Sequence, residues 1–187
     1  KEAVLIGLMQ RNRTGQSSVF HVSLYKSAVS ALVNQGTNFL MAHHVAKPMG
    51  TLHPNIAPYG EIIQTADGVR LMLAVGSEGQ FAKLANILGL SEDKRIKYET
   101  NHKRVAQRDQ LQRDLQNLTA QKYAESLVAA LDKEQIPFAR VRDLEQVLTD
   151  TQSLPMILPN NIEGRSDGKY ISNLAFSANF IPSNENH

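Results

Sequence analysis

Apolar residues in the opening stretch KEAVLIGLMQR recur at helical spacing, with Val4, Leu5, Leu8 and Met9 on one stripe. No Ser, Thr, Asp or Asn precedes them as a cap, so the helix reads as part of a longer protein's element. Gly15 is placed to end it with a left-handed turn. VFHVSL (19–24) reads as a short strand. Ala28, Val29, Leu32, Val33, Phe39 and Leu40 then predict one helix with a buried face over 25–41. Residues 42–61 lose both periods and hold Pro48, Pro54, Pro58, Gly50 and Gly60, the composition of an interdomain linker.

A hairpin follows, with EIIQT and VRLMLAV flanking Ala66-Asp67-Gly68. Ser77 with Gln80 has capping-box spacing, and Phe81, Leu84, Ala85 and Leu88 mark a helix that stops at Gly89. Residues 102–117 predict a polar helix rich in glutamine and arginine. Thr119 is the expected cap of the next helix, whose face is Tyr123, Ala124, Leu127, Val128 and Leu131 and which Pro137 stops. FARV (138–141) suggests a third strand, Asp143 with Gln146 another helix start, and YISNLAF (170–176) a last strand.

Composition narrows the chemistry. Of 187 residues 42% are hydrophobic and 20% charged, enough for a packed core. The net charge of +2 does not call for a nucleic-acid or membrane partner. Cysteine is absent, which excludes disulfides, thiolate zinc sites and cysteine nucleophiles and makes a cytoplasmic setting the default. The six histidines have no metal-ligand spacing, so no metal is expected. The basic stretch 94–108 reads as a solvated helix face, and Glu92-Asp93 as surface.

Two stretches carry candidate chemistry. In HPNIAPYG the prolines stiffen a backbone that presents His53, Asn55 and Tyr59, which suits a substrate wall and a rigid hinge equally. The strand-to-helix turn Gly76-Ser77-Glu78-Gly79-Gln80 offers backbone N–H groups to an oxyanion, although Glu78 opposes a phosphate there and a plain connection has the same sequence.

Four blocks, RTGQSSVFHVSLYKSAVSALVNQGTNFL, MGTLHPNIAPYGEIIQTADG, LMLAVGSEGQFAKLANILGL and SLVAALDKEQIPFARVRDLEQVLTD, in that order strongly resemble the family III CoA-transferases. That resemblance implies the C-terminal part of a two-domain fold. A doubly wound α/β large domain binds CoA, and an α+β small domain carries a small sheet with a hairpin and flanking helices. Residues 1–41 would be a remnant of the large domain, 42–61 the linker, 62–150 the small domain and 151–187 a segment returning to the large domain, most of which lies outside this sequence. The family resembles itself in an aspartate nucleophile upstream of Lys1, so this chain is expected to be inactive alone. The acyl-CoA cleft would take His53, Asn55, Tyr59 and Gly76 to Gln80 (Gly76, Ser77, Glu78, Gly79, Gln80). The expected partners are acyl-CoA, a carboxylic acid acceptor and a second copy in an interlocked homodimer. Coenzyme A would be a substrate, with no bound cofactor, no nucleic acid and no membrane. The location would be cytoplasmic, or mitochondrial or peroxisomal in a eukaryote. Glu78-Gly79-Gln80-Phe81 also resembles the α-methylacyl-CoA racemase branch, and a stand-alone dimerising interaction module is a third reading.

Overall fold

The computed structural model describes residues 1–160, 163–165, 167–173 and 175. Two compact units divide at Gly50/Thr51, inside the stretch expected to be a linker. The N-terminal unit holds α1 (Glu2–Thr14), α2 (Leu24–Ser30) and α3 (Val33–Ala42). α1 begins without a side-chain cap and ends at Gly15, which adopts φ 70° and donates its N–H to Arg11 O at 2.8 Å.

Residues 19–24 are not a strand. Ser23 instead caps α2, its hydroxyl accepting the Lys26 N–H. The single helix expected over 25–41 is also broken. The hydroxyls of Ser27 and Ser30 bond back to Ser23 O and Ser27 O, competing with the helical ladder just before the break at Ala31-Leu32. The expected buried face is exposed: none of the three helices contains a buried residue.

The second unit is built on a three-stranded antiparallel sheet in the order β1-β2-β3: β1 Tyr59–Gln64, β2 Arg70–Ala74 and β3 Phe138–Arg140. Between Tyr59 and Ile62 strand β1 advances three residues while its partner goes from Ala74 to Met72, so β1 carries a bulge. Gly60 occupies it at φ 90°, and a Cβ there would lie 1.9 Å from Thr51 O. Only glycine fits that position.

Helices α4 (Glu78–Leu88), α5 (Glu92–Lys97), α6 (Asn101–Ala106), α7 (Arg108–Thr119) and α8 (Ala124–Lys133) belong to the same unit. Ile63, Leu71, Leu73, Leu84, Leu115 and Leu131 are fully or almost fully buried in one core. The polar helix expected over 102–117 is two helices meeting at Gln107. Its glutamines have a structural use: Gln112 Nε2 donates to Ile62 O at 2.7 Å, and Gln116 both accepts from Gln64 N and donates to Gln64 O. One turn apart, these amides satisfy the outer edge of β1 as a fourth strand would.

Thr119 does not cap α8. It is buried at the end of α7 and donates to Gln64 O at 3.1 Å. The hairpin's Asp67 accepts the Ala124 N–H at 3.0 Å instead, so a residue 57 positions away serves the start of α8. Ala124, Leu127 and Leu131 face the core, whereas Tyr123 is exposed. Asp143 and Gln146 form the expected reciprocal cap on α9 (Leu144–Leu148). A smaller antiparallel pair, β4 (Ile157–Pro159) and β5 (Lys169–Ile171), follows. The last expected strand therefore stops early among the described residues, and positions 174 and 176 of it lie outside them. No described helix is long and apolar enough to cross a membrane.

Candidate functional site

His53 and Tyr59 are brought together by the stiff stretch that separates them. Their rings meet edge-on with centroids 5.4 Å apart, and His53 N donates to Tyr59 O at 2.8 Å. Asn55 N donates to His53 Nδ1 at 3.2 Å, which leaves the proton of the neutral ring on Nε2. The Ala57–Pro58 bond is cis. Pro58 O accepts from Val75 N at 3.0 Å, tying the stretch to the end of β2 where the second candidate segment starts.

In that segment the capping box is complete. Ser77 Oγ accepts from Gln80 N, and Gln80 Oε1 accepts from Gly76 N and Ser77 N at 2.9 and 3.2 Å. Three of the N–H groups expected to be open to an oxyanion, those of Gly76, Ser77 and Gln80, are therefore occupied. The Glu78 and Gly79 N–H groups, at the first two helical positions, are the ones left without an intrahelical acceptor. A Cβ at Gly79 would meet nothing within 4 Å, so the backbone there is open to a close approach.

The Glu78 carboxylate turns away from its own helix. Oε1 accepts from Asn101 N at 2.8 Å, and Oε2 pairs with Arg104 at 2.6 Å. Partial burial works against the charged form, but the Asn101 and Arg104 hydrogen bonds and the arginine charge outweigh it, and the carboxyl titrates below its ordinary range. Held in this way it is a poor base and a poor nucleophile.

The expectation that 94–108 is a solvated face fails at its centre. Arg104 is 0% exposed, and the Arg108 side chain is also largely buried. Arg104 donates to Ala57 O, Tyr98 O and Glu99 O and lies 4.4 Å over the Phe81 ring. Arg108 donates to Ile56 O and sits with Nε 2.9 Å from Oε1 of the buried Glu61. That contact is an ion pair at close range without hydrogen-bond alignment. Burial pushes the Glu61 carboxyl above its usual range, with the Arg108 charge opposing. Asn101 completes the set: its amide donates to Asn55 O and accepts from Ala57 N. Sequence reasoning missed Asn101, Arg104, Arg108 and Glu61. The available signal was the spacing of three and four residues that puts 101, 104 and 108 on one side of a helical path.

Among the described residues no cluster of His, Asp or Glu could hold a metal ion. The family model for CoA-transferase family III matches residues 2–180. This chain belongs to CoA-transferase family III. It is 33% identical over 153 residues to the succinate–glutarate CoA-transferase of Agrobacterium fabrum, covering 80% of this chain and 37% of that protein. The succinyl-CoA:glutarate CoA-transferase of Mus musculus is also 33% identical, over 81% of this chain and 35% of its own length. A CaiB/BaiF family protein from Brucella suis superposes with a TM-score of 0.63 at 34% identity, over 84% of this chain and 42% of that one. A Mycobacterium tuberculosis protein, 23% identical, shares the fold with a TM-score of 0.72 over 96% of this chain and 45% of its own. The chain thus spans little more than a third of the curated family III relatives it matches.

Proposed function

We propose that these residues are the C-terminal part of an acyl-CoA:carboxylate CoA-transferase that moves CoA between dicarboxylic acids. The similarity to succinate–glutarate CoA-transferases over four-fifths of the chain carries the reading. Residues 1–41 would complete a doubly wound CoA-binding domain, and the small α+β domain would start at Thr51 rather than at 62 because 51–58 packs with it. Two copies would interlock.

In the reaction an aspartate carboxylate outside this sequence attacks the thioester carbonyl, giving an acyl-aspartyl anhydride and CoA thiolate. The thiolate attacks the aspartyl carbonyl, releasing the donor acid and leaving an aspartyl-CoA thioester. The acceptor carboxylate then reverses both steps. This chain would supply the cleft, through His53, Asn55, Tyr59 and the Gly76–Gln80 turn, whose Glu78 and Gly79 N–H groups suit an oxyanion. The arginine-bound Glu78 supports the transferase over an α-methylacyl-CoA racemase-like reading that would use it as a base.

The test is a chimera in which this chain replaces the matching segment of the Agrobacterium fabrum enzyme. It should convert succinyl-CoA and glutarate to glutaryl-CoA and succinate. The chain alone, incubated with succinyl-CoA, should keep its unmodified mass. A folded but inactive chimera, or an adduct on the chain alone, overturns the reading. An inactive chimera together with a stable dimer of the chain would favour the interaction module.

A further inference from the structure

Two segments with residues 60–75 between them, His53–Tyr59 and Gly76–Gln80, are joined through two residues of a third. The guanidinium of Arg104 bridges from Ala57 O at 2.6 Å to Glu78 Oε2 at 2.6 Å. Asn101 makes the same bridge in parallel. Its side chain brackets Asn55 O and Ala57 N at 2.8 and 3.1 Å, and its backbone N–H holds Glu78 Oε1 at 2.8 Å. Each candidate segment is therefore pinned by both residues, and the Glu78 carboxylate has one oxygen on each. Phe81, one turn into α4, lies against the face of the same guanidinium.

We propose that Asn101 and Arg104 are positioning residues for CoA transfer, holding the Gly76–Gln80 turn and the His53–Tyr59 wall in one fixed geometry. The inference rests on the functional reading above, under which both segments face the reacting acyl group. The bridging bonds of these two residues end on the two candidate segments, while the apolar core that includes Leu71, Leu73 and Leu84 is packed by other side chains. A planar guanidinium can serve Ala57 O and Glu78 together because its donors diverge in a rigid fork, which a lysine ammonium does not reproduce. Without the bridge the turn and the wall are linked near the site by the joined ends of β1 and β2, through the Val75–Pro58 backbone bond and the Tyr59–Ala74 pair, and the residues beyond those links can shift relative to each other. A displacement of about 1 Å at a reacting centre costs on the order of 100-fold in rate.

The experiment makes Arg104→Lys and Asn101→Ala in the 187-residue chain and in the chimera. In the chain, Arg104→Lys should speed amide hydrogen exchange together in His53–Tyr59 and Gly76–Gln80 by about tenfold or more, while the amides of Leu71 to Leu73 stay protected; Asn101→Ala, which keeps the backbone N–H to Glu78, should speed it in His53–Tyr59. In the chimera, Arg104→Lys should lower kcat about 100-fold and leave KM for succinyl-CoA within about threefold, with Asn101→Ala smaller in the same sense. A structural role alone would speed exchange throughout the unit and leave the kcat of the folded enzyme unchanged. With Arg104→Lys, exchange that rises in one segment only, or a folded variant of an active chimera with kcat within about twofold of the parent, overturns the proposal. If Arg104→Lys does not fold, Arg104→Gln decides by both readouts. An unsubstituted chimera that makes no glutaryl-CoA counts against the functional reading, and hydrogen exchange then decides the coupling by itself.

Discussion

The two units carry similar hydrophobic patterns and put them to opposite use. In the unit beginning at Thr51 the apolar stripes of α4, α7 and α8 close over the sheet, and Leu71, Leu115 and Leu131 are fully buried. In Lys1–Gly50, Leu5 is 59% exposed, Met9 72% and Leu40 74%, and no residue of the three helices is buried. A helical period thus says which face wants cover and not what covers it. Short helices gain most of their stability from tertiary packing, and within residues 1–50 that packing buries no residue of α1, α2 or α3.

The largest effect that would break the contrast is Gly60→Ala. The new Cβ meets Thr51 O in a conformation that alanine disfavours, and about 3 kcal/mol or more of the second unit's stability should be lost, read as a cooperative fall in Tm. Next, Leu71→Ala or Leu131→Ala should cost about 2–5 kcal/mol in urea unfolding, whereas Leu8→Ala should change the same midpoint by less than about 0.5 kcal/mol. Equal effects would mean that the first unit has a core of its own.

Tyr98→Phe should cost about 1–3 kcal/mol, because Tyr98 Oη donates to Asp114 Oδ2 at 2.7 Å and its loss leaves a buried carboxylate oxygen with one donor fewer. Acid sharpens the same comparison. Burial disfavours ionised Asp114, but hydrogen bonds from Lys94 and Tyr98 hold its carboxyl below the ordinary value, as Asn101 and Arg104 do for Glu78. Their stabilisation is complete above the unfolded carboxylate range and is lost as pH falls through the depressed folded values. Glu61, raised by burial, acts in the opposite sense: its contribution is present below the unfolded value and is lost as pH rises through the folded one. Asp114→Asn should therefore flatten the acid limb of a Tm-against-pH curve, and Glu61→Gln should steepen the net rise of stability from acid toward neutral pH. The smallest effect concerns solubility. Leu5→Glu with Met9→Lys should reduce concentration-dependent association in sedimentation without moving the second unit's Tm.

Local chemistry was legible where a few neighbouring residues decide it. The hairpin around Asp67-Gly68, the capping boxes at Ser77 and Asp143, and the left-handed stops at Gly15 and Gly89 all follow from residues whose side chains or backbone N–H groups bond within four positions of themselves. The break at Ala31-Leu32 and the helix start inside the strand expected at 19–24 have a related cause, since the hydroxyls of Ser23, Ser27 and Ser30 bond to the backbone, a contribution that apolar periodicity does not contain. At the candidate site His53, Asn55, Tyr59 and the Gly76–Gln80 turn stood out by type, but what joins them did not. Arg104 reads as one more surface cation among Lys94, Arg95, Lys97 and Lys103.

The sequence by itself determined the hairpin, the capped ends of α4 and α9, the turn chemistry and, through the order of its blocks, the CoA-transferase family. Only the tertiary structure decided that Asp67 serves α8, that the glutamines of α7 finish the edge of β1, and that Arg104 lies inside between two candidate segments. The physical reason is range. Backbone preferences and caps act over one or two turns of chain. A buried charge is tolerated only where partners from distant segments converge on it, and that convergence is a property of the fold.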